Sequence, residues 1–103
     1  MKMNVKHEHI KLDVQTIDVR MNDFLKRKIL NMIDKLETLL PGINRMDIYL
    51  KRNEEGRNPH TVLVRFGASG VDFTASDSGQ RWKLILKNVE KRLISQIEKK
   101  KVF

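Results

Sequence analysis

Residues 46–66 read MDIYLKRNEEGRNPHTVLVRF, and the alternation within them determines the architecture. Met46, Ile48 and Leu50 alternate with Asp47, Tyr49 and Lys51. Val62, Val64 and Phe66 resume the pattern after a polar stretch, Asn53 to His60, that holds Gly56 and Pro59. Successive strand side chains point to opposite faces, so each run presents one apolar and one polar face. The stretch between them predicts a hairpin loop. A sheet of such strands has one face to cover and one to leave in water.

Downstream, Gly67 to Gly70 predicts a tight turn, and Val71, Phe73 and Ala75 mark another strand. Asp77 or Ser78 is placed to cap a final helix, whose apolar seam is Trp82, Leu86, Val89, Leu93 and Ile97. Upstream, Ile10, Leu12 and Val14 alternate with Lys11, Asp13 and Gln15, giving a first strand. Asn22 reads as an N-cap, with Asp23 at the positive end of the helix dipole. The helix that follows has a seam of Leu25, Ile29, Met32, Leu36 and Leu39, broadened by Ile33 and Leu40, and Pro41-Gly42 stops it. The expected fold is α+β: a two-layer β-α-β-β-β-α domain, a four-stranded sheet with two helices packed on one face. Residues 1–9 (MKMNVKHEH) have no period and are expected to form a flexible lead-in, with residues 10–103 as a single domain.

Composition narrows the function. The chain has 103 residues, 40% hydrophobic and 33% charged, with a net charge of +8 and a pI near 10.0. A small basic domain of this kind suits a polyanion, because neutralising phosphates releases condensed counterions. The plainer alternative is a basic surface that serves solubility. There is no cysteine, which excludes disulfides and cysteine-based metal sites or catalysis. No apolar run approaches a membrane span and no signal peptide is seen, so a cytoplasmic protein is expected.

The charge concentrates on the last helix. Lys83, Lys87 and Lys91 recur at steps of four, and Arg81, Arg92 and Lys99 lie beside them, away from the seam. With Lys100 and Lys101 this makes eight basic residues against Glu90 and Glu98. Like charges one turn apart weaken a helix, and an ordinary solvated face mixes its signs. The arc therefore suits phosphate contacts, which position a protein on RNA without reading bases. Lys26, Arg27 and Lys28 on the first helix, and Lys51 and Arg65 on the open sheet face, extend the candidate RNA-binding surface. Tyr49 lies among the latter pair; a base could stack on it, but a lone tyrosine among charged neighbours is more often plain sheet packing.

Other chemistries find little support. His7 and His9 flank Glu8, and His60 lies in the hairpin loop, short of the three or four converging ligands that zinc needs. No Gly-rich phosphate loop, nucleophile elbow or His-Glu-x-x-His pattern is present. Asp72 and Asp77 alternate with Thr74 and Ser76, as strand ends and caps do. Trp82, Phe66 and Phe73 read as core. No enzyme activity, metal, cofactor or small-molecule substrate is expected.

The stretch Ala75-Ser76-Asp77-Ser78-Gly79-Gln80, followed by a helix ending Arg92-Leu93-Ile94-Ser95-Gln96-Ile97-Glu98-Lys99-Lys100-Lys101, resembles the ribosome hibernation-promoting factors. These are also known as ribosome-associated inhibitors, or the sigma-54 modulation and S30EA group. Lys35-Leu36-Glu37, Ile43-Asn44 and Leu50-Lys51 fit the same pattern, and the resemblance runs from Ile10 to Lys101. It implies the β-α-β-β-β-α fold. It also implies binding to 16S rRNA of the small ribosomal subunit, in the channel of messenger and transfer RNA, which silences idle ribosomes in stress or stationary phase. It carries basic positions over to Lys26, Lys35, Arg92, Lys99 and Lys101. It implies the short form, without the linker and second domain of longer members.

The last helix departs from the family at its start. Arg81-Trp82-Lys83-Leu84-Ile85-Leu86-Lys87 stands where the family has an acidic and aromatic Asp-Met-Tyr-x-Ala-Ile-Asp-like run, and Ser95 replaces an arginine. Two alternatives keep the fold but change the partner: another structured RNA or other anionic surface, or an acidic protein met by an adaptor module.

Overall fold

The structure, a computed structural model, describes residues 9–53 and 56–101, the last by its backbone alone. The expected lead-in therefore lies outside the described residues apart from His9, as do Glu54 and Glu55 of the hairpin loop. The elements are β1 (Lys11–Ile17), α1 (Asp23–Leu39), β2 (Ile43–Arg52), β3 (His60–Ala68), β4 (Val71–Gly79) and α2 (Trp82–Lys101). The strands form one sheet in chain order, β1-β2-β3-β4. β1 runs parallel to β2, and the other two pairs are antiparallel. A parallel pair needs a crossover, and α1 provides it.

The register aligns the apolar faces in rows. Leu12, Met46, Phe66 and Phe73 cross the sheet as one row, and Val14, Ile48, Val64 and Ala75 as the next. Phe66 and Phe73 stack with centroids 4.9 Å apart, a cross-strand pair of the kind that stabilises sheets. The helices cover this face with Leu25, Ile29, Met32, Ile33 and Leu36 from α1, and Ile85, Leu86, Val89, Leu93 and Ile97 from α2. One apolar cluster results, and no charged or polar side chain among the described residues is fully buried. The opposite face carries Lys11, Asp13, Gln15, Asp47, Tyr49, Arg65, Thr74 and Ser76, exposed or half-buried. Tyr49 sits between Gln15 and Leu63 as part of its packing.

Local chemistry places the ends. Asn22 is extended (φ −127°, ψ 173°) and its Oδ1 accepts from the Leu25 N–H at 2.8 Å, capping α1. The Leu40 N–H closes the helix on the Leu36 carbonyl at 2.9 Å. A register shift between Ile43 and Arg45 lets Ile43 and Met46, three residues apart, both face the core. The turn after β3 is tighter than the glycines suggest. Ala68 pairs with Val71, and Ser69 (φ 52°) and Gly70 (φ 78°) form the two-residue bend. Positive φ at both positions matches the twist of an antiparallel hairpin.

Two details differ from the sequence reading. β4 runs through to Gly79, so Asp77 and Ser78 are strand residues and not caps. The α2 seam begins at Ile85, which is buried, while Trp82 is half-buried at its rim. The reason is a close approach: a Cβ on Gly79 would lie 3.2 Å from Ile85 Cγ1, so the glycine admits Ile85 against the strand.

Candidate nucleic-acid interface

Lys83 and Lys87 are one turn apart on α2, and Lys28 and Lys35 two turns apart on α1. The two helices pack against each other. Their lysines therefore line one groove of about 300 Å³, with Asn31, Met32, Leu86 and Glu90 completing the lining. Met32 and Leu86 belong to the core, so they give the groove an apolar floor beneath a cationic rim. Glu90 is the one carboxylate among the lining residues. Its Oε2 lies 3.4 Å from Lys35 Nζ, an exposed pairing of small net value. Four lysines against one glutamate leave a local excess that an incoming anion would relieve.

The remaining candidates divide by face. Lys26, Arg27, Arg81, Lys91, Lys99 and Lys100 are exposed on or next to the helices. Arg81 lies just before α2, where its carbonyl accepts from the Ile85 N–H at 3.1 Å. The side chain of Lys101 lies outside the described residues. Lys83 and Lys99 are separated by about 24 Å of helix, so the arc is a track longer than the groove. Lys51 and Arg65 are exposed on the open sheet face, away from the groove. That face mixes its signs: Arg45 lies 3.9 Å from Asp47 and 3.6 Å from Asp72.

Arg92 stands apart from the other arc residues. Its guanidinium donates to the Ser76 carbonyl and lies 3.5 Å from Asp77 Oδ1. Asn88 Nδ2 donates to Asp77 Oδ2 at 3.0 Å, and Gln96 Nε2 donates to the Thr74 carbonyl at 2.8 Å. β4 is an edge strand, and exposed edges invite pairing with other chains. α2 thus uses Arg92 and Gln96 to occupy two carbonyls of β4.

At the start of α2, the His60 ring stacks on Trp82 with centroids 4.2 Å apart. Burial, with a smaller contribution from the nearby Arg52 charge, lowers the His60 pKa below its usual 6.5. His60 Nδ1 is buried without a hydrogen-bond partner. Among the described residues no group of three or more His, Asp or Glu is arranged to hold a metal, and no helix is long and apolar enough to cross a membrane.

Sequence reasoning placed Lys83, Lys87 and, through the family resemblance, Lys35. It noted Lys28 on α1 without joining it to the others, counted Glu90 only against the basic arc, and passed over Asn31. The only sequence signal was the shared stripe of Lys28, Asn31 and Lys35 at helical spacing.

No protein-family model and no curated protein matches the chain by sequence. Solved structures match it by shape. The Protein Y N-terminal domain of Thermus thermophilus superposes with a TM-score of 0.74 at 10% identity, covering 96% of this chain and 100% of that one. A ribosomal subunit interface protein from Coxiella burnetii superposes with a TM-score of 0.72 at 16% identity, covering 90% of this chain and 99% of that one. At these identities the likeness establishes a shared fold over nearly the whole chain.

Proposed function

We propose that this protein is a non-enzymatic ribosome-associated factor. It binds 16S rRNA of the small ribosomal subunit through its basic helix face and occupies the channel of messenger and transfer RNA. It thereby holds back translation in stress or stationary phase. Residues 10–103 act as one ribosome-binding domain, in the cytoplasm with the ribosomes. The observation that carries this reading is the groove of Lys28, Lys35, Lys83 and Lys87, on a fold shared with a ribosomal subunit interface protein. Phosphate contacts of this kind fix position and orientation on folded RNA.

Sedimentation of the protein with purified small subunits, over a salt series and with transfer RNA as competitor, tests the reading. Co-sedimentation should fall steeply with salt, as each phosphate contact adds to the slope, and transfer RNA should displace the protein. Binding that survives charge reversal at Lys83, Lys87, Lys91 and Arg92 together would rule out the helix face. Binding without competition would favour a different structured RNA or an acidic protein as partner. That second reading draws on the basic Arg81 to Lys87 run, which stands where the family resemblance expects acidic and aromatic residues.

A further inference from the structure

Phe24, in the first turn of α1, keeps 44% of its surface exposed although the buried seam begins at its neighbour Leu25. The Lys28 ammonium lies 5.6 Å from the centroid of its ring, within cation–π range. Lys28 itself lines the lysine groove. Phe24, Lys28, Asn31 and Lys35 therefore form a single stripe of α1, at helical spacings of four, three and four. The stripe runs from an exposed aromatic ring into a cluster of cations.

Cations that follow a backbone, beside a ring that offers its face, are the combination that holds single-stranded nucleic acid. A duplex presents its phosphates equally well but keeps its base faces stacked. Contact with phosphates alone gives no reason for an exposed ring beside a lysine of the groove. We propose that the groove takes an unpaired stretch of RNA, its phosphates on Lys28, Lys35, Lys83 and Lys87 and one splayed base on the ring of Phe24. This rests on the RNA reading above and narrows it from structured RNA in general to an unpaired segment. Asn31, between the lysines, offers both a donor and an acceptor to a base or sugar edge.

The test uses the purified full chain, with fluorescence anisotropy on a short single-stranded RNA and on a duplex, and displacement of each by inorganic polyphosphate. Phe24→Ala should weaken single-strand binding about tenfold, as expected for loss of one stacked base. Phe24→Trp should retain it, and neither change should alter the affinity for polyphosphate obtained from the displacement curves. Lys83→Glu/Lys87→Glu should weaken all three ligands. Because Phe24 is exposed, circular dichroism of Phe24→Ala should match the parent. Unchanged single-strand affinity in Phe24→Ala, or a duplex bound more tightly than the single strand, overturns the stacking site. If Lys83→Glu/Lys87→Glu still weakens binding in that case, the RNA reading stands without the stacking site. If that variant binds every ligand as the parent does, the groove reading falls as well.

Discussion

Lys87 and Arg92 lie five residues apart on α2, both positively charged and both exposed, yet their surroundings differ. Five residues rotate the helix by about 140° beyond a full turn. That rotation carries Lys87 into the groove shared with α1 and Arg92 over the edge of β4. The charged groups that line the groove with Lys87 are three other lysines and one already paired glutamate. Arg92 has a carbonyl and a carboxylate from its own chain. A basic arc on a helical wheel is thus two surfaces: one whose charge is available to a partner, and one whose charge the fold already uses.

The largest effect should come from the free side. Lys83→Glu/Lys87→Glu should lower affinity for small subunits on the order of 100-fold at moderate salt, with a shallower salt dependence as phosphate contacts are lost. Thermal stability should stay level or rise, because like charges are relieved. Equal loss of affinity and stability would erase the distinction between the two surfaces.

On the other side, Arg92→Ala should destabilise the fold by about 1 kcal/mol in chemical denaturation, below the usual range for a charge-assisted hydrogen bond and at the top of that for exposed ion pairs. The modest figure reflects a side chain that is 54% exposed. Its effect on subunit binding should be smaller than that of the lysine pair. Arg92→Ala/Gln96→Ala should in addition free the Ser76 and Thr74 carbonyls and promote oligomers in size-exclusion chromatography at high concentration. A monodisperse double variant would show that β4 needs no such cover.

Asp77→Asn is a finer probe. It removes the charge opposite Arg92 while keeping an oxygen for Asn88, so the loss should be about 0.5 kcal/mol, as for exposed ion pairs. A larger loss would mean that Asp77 anchors α2 more strongly than its exposure suggests.

The smallest effect separates stability from binding by pH. With its folded pKa below 6.5, His60 binds fewer protons folded than unfolded as the pH falls. Its neutral form therefore favours folding above about pH 6.5, and the advantage is lost as pH drops through the lowered value. Melting temperature should decline over that window more in the parent than in His60→Gln. Parallel curves for the two would remove His60 from the acid response.

Much of the fold was legible because alternation is a local signal. Met46 to Lys51 and Val62 to Phe66 announce their buried face without help from the rest of the chain. Ile43 could not be read that way: it lies out of phase with Met46, and only the register shift beside Ala68 brings both inward. Asp77 misled for a different reason. An aspartate shortly before an apolar helix fits a cap, and only the pairing of Val62 with Asp77 shows that the strand continues. The groove was half legible. Lys83 and Lys87 share a visible stripe, but the approach of Lys28 and Lys35 depends on how α1 packs against α2, which no local pattern encodes. The same holds for Arg92, whose acceptors lie 15 and 16 residues back in the chain.

The sheet keeps its strands in chain order, and loop-closure entropy then predicts a sequence of events during folding. β3 and β4 meet across two residues and β2 joins through the longer polar loop 53–59. That three-stranded meander closes with little loss of loop entropy and can find its register early. β1 must wait for α1 to span the gap to its parallel partner. The contacts of Arg92 and Gln96 wait longer still, since they need both a finished β4 and a helix grown past its midpoint. Substitutions at those two positions should therefore accelerate unfolding and leave the refolding rate almost untouched.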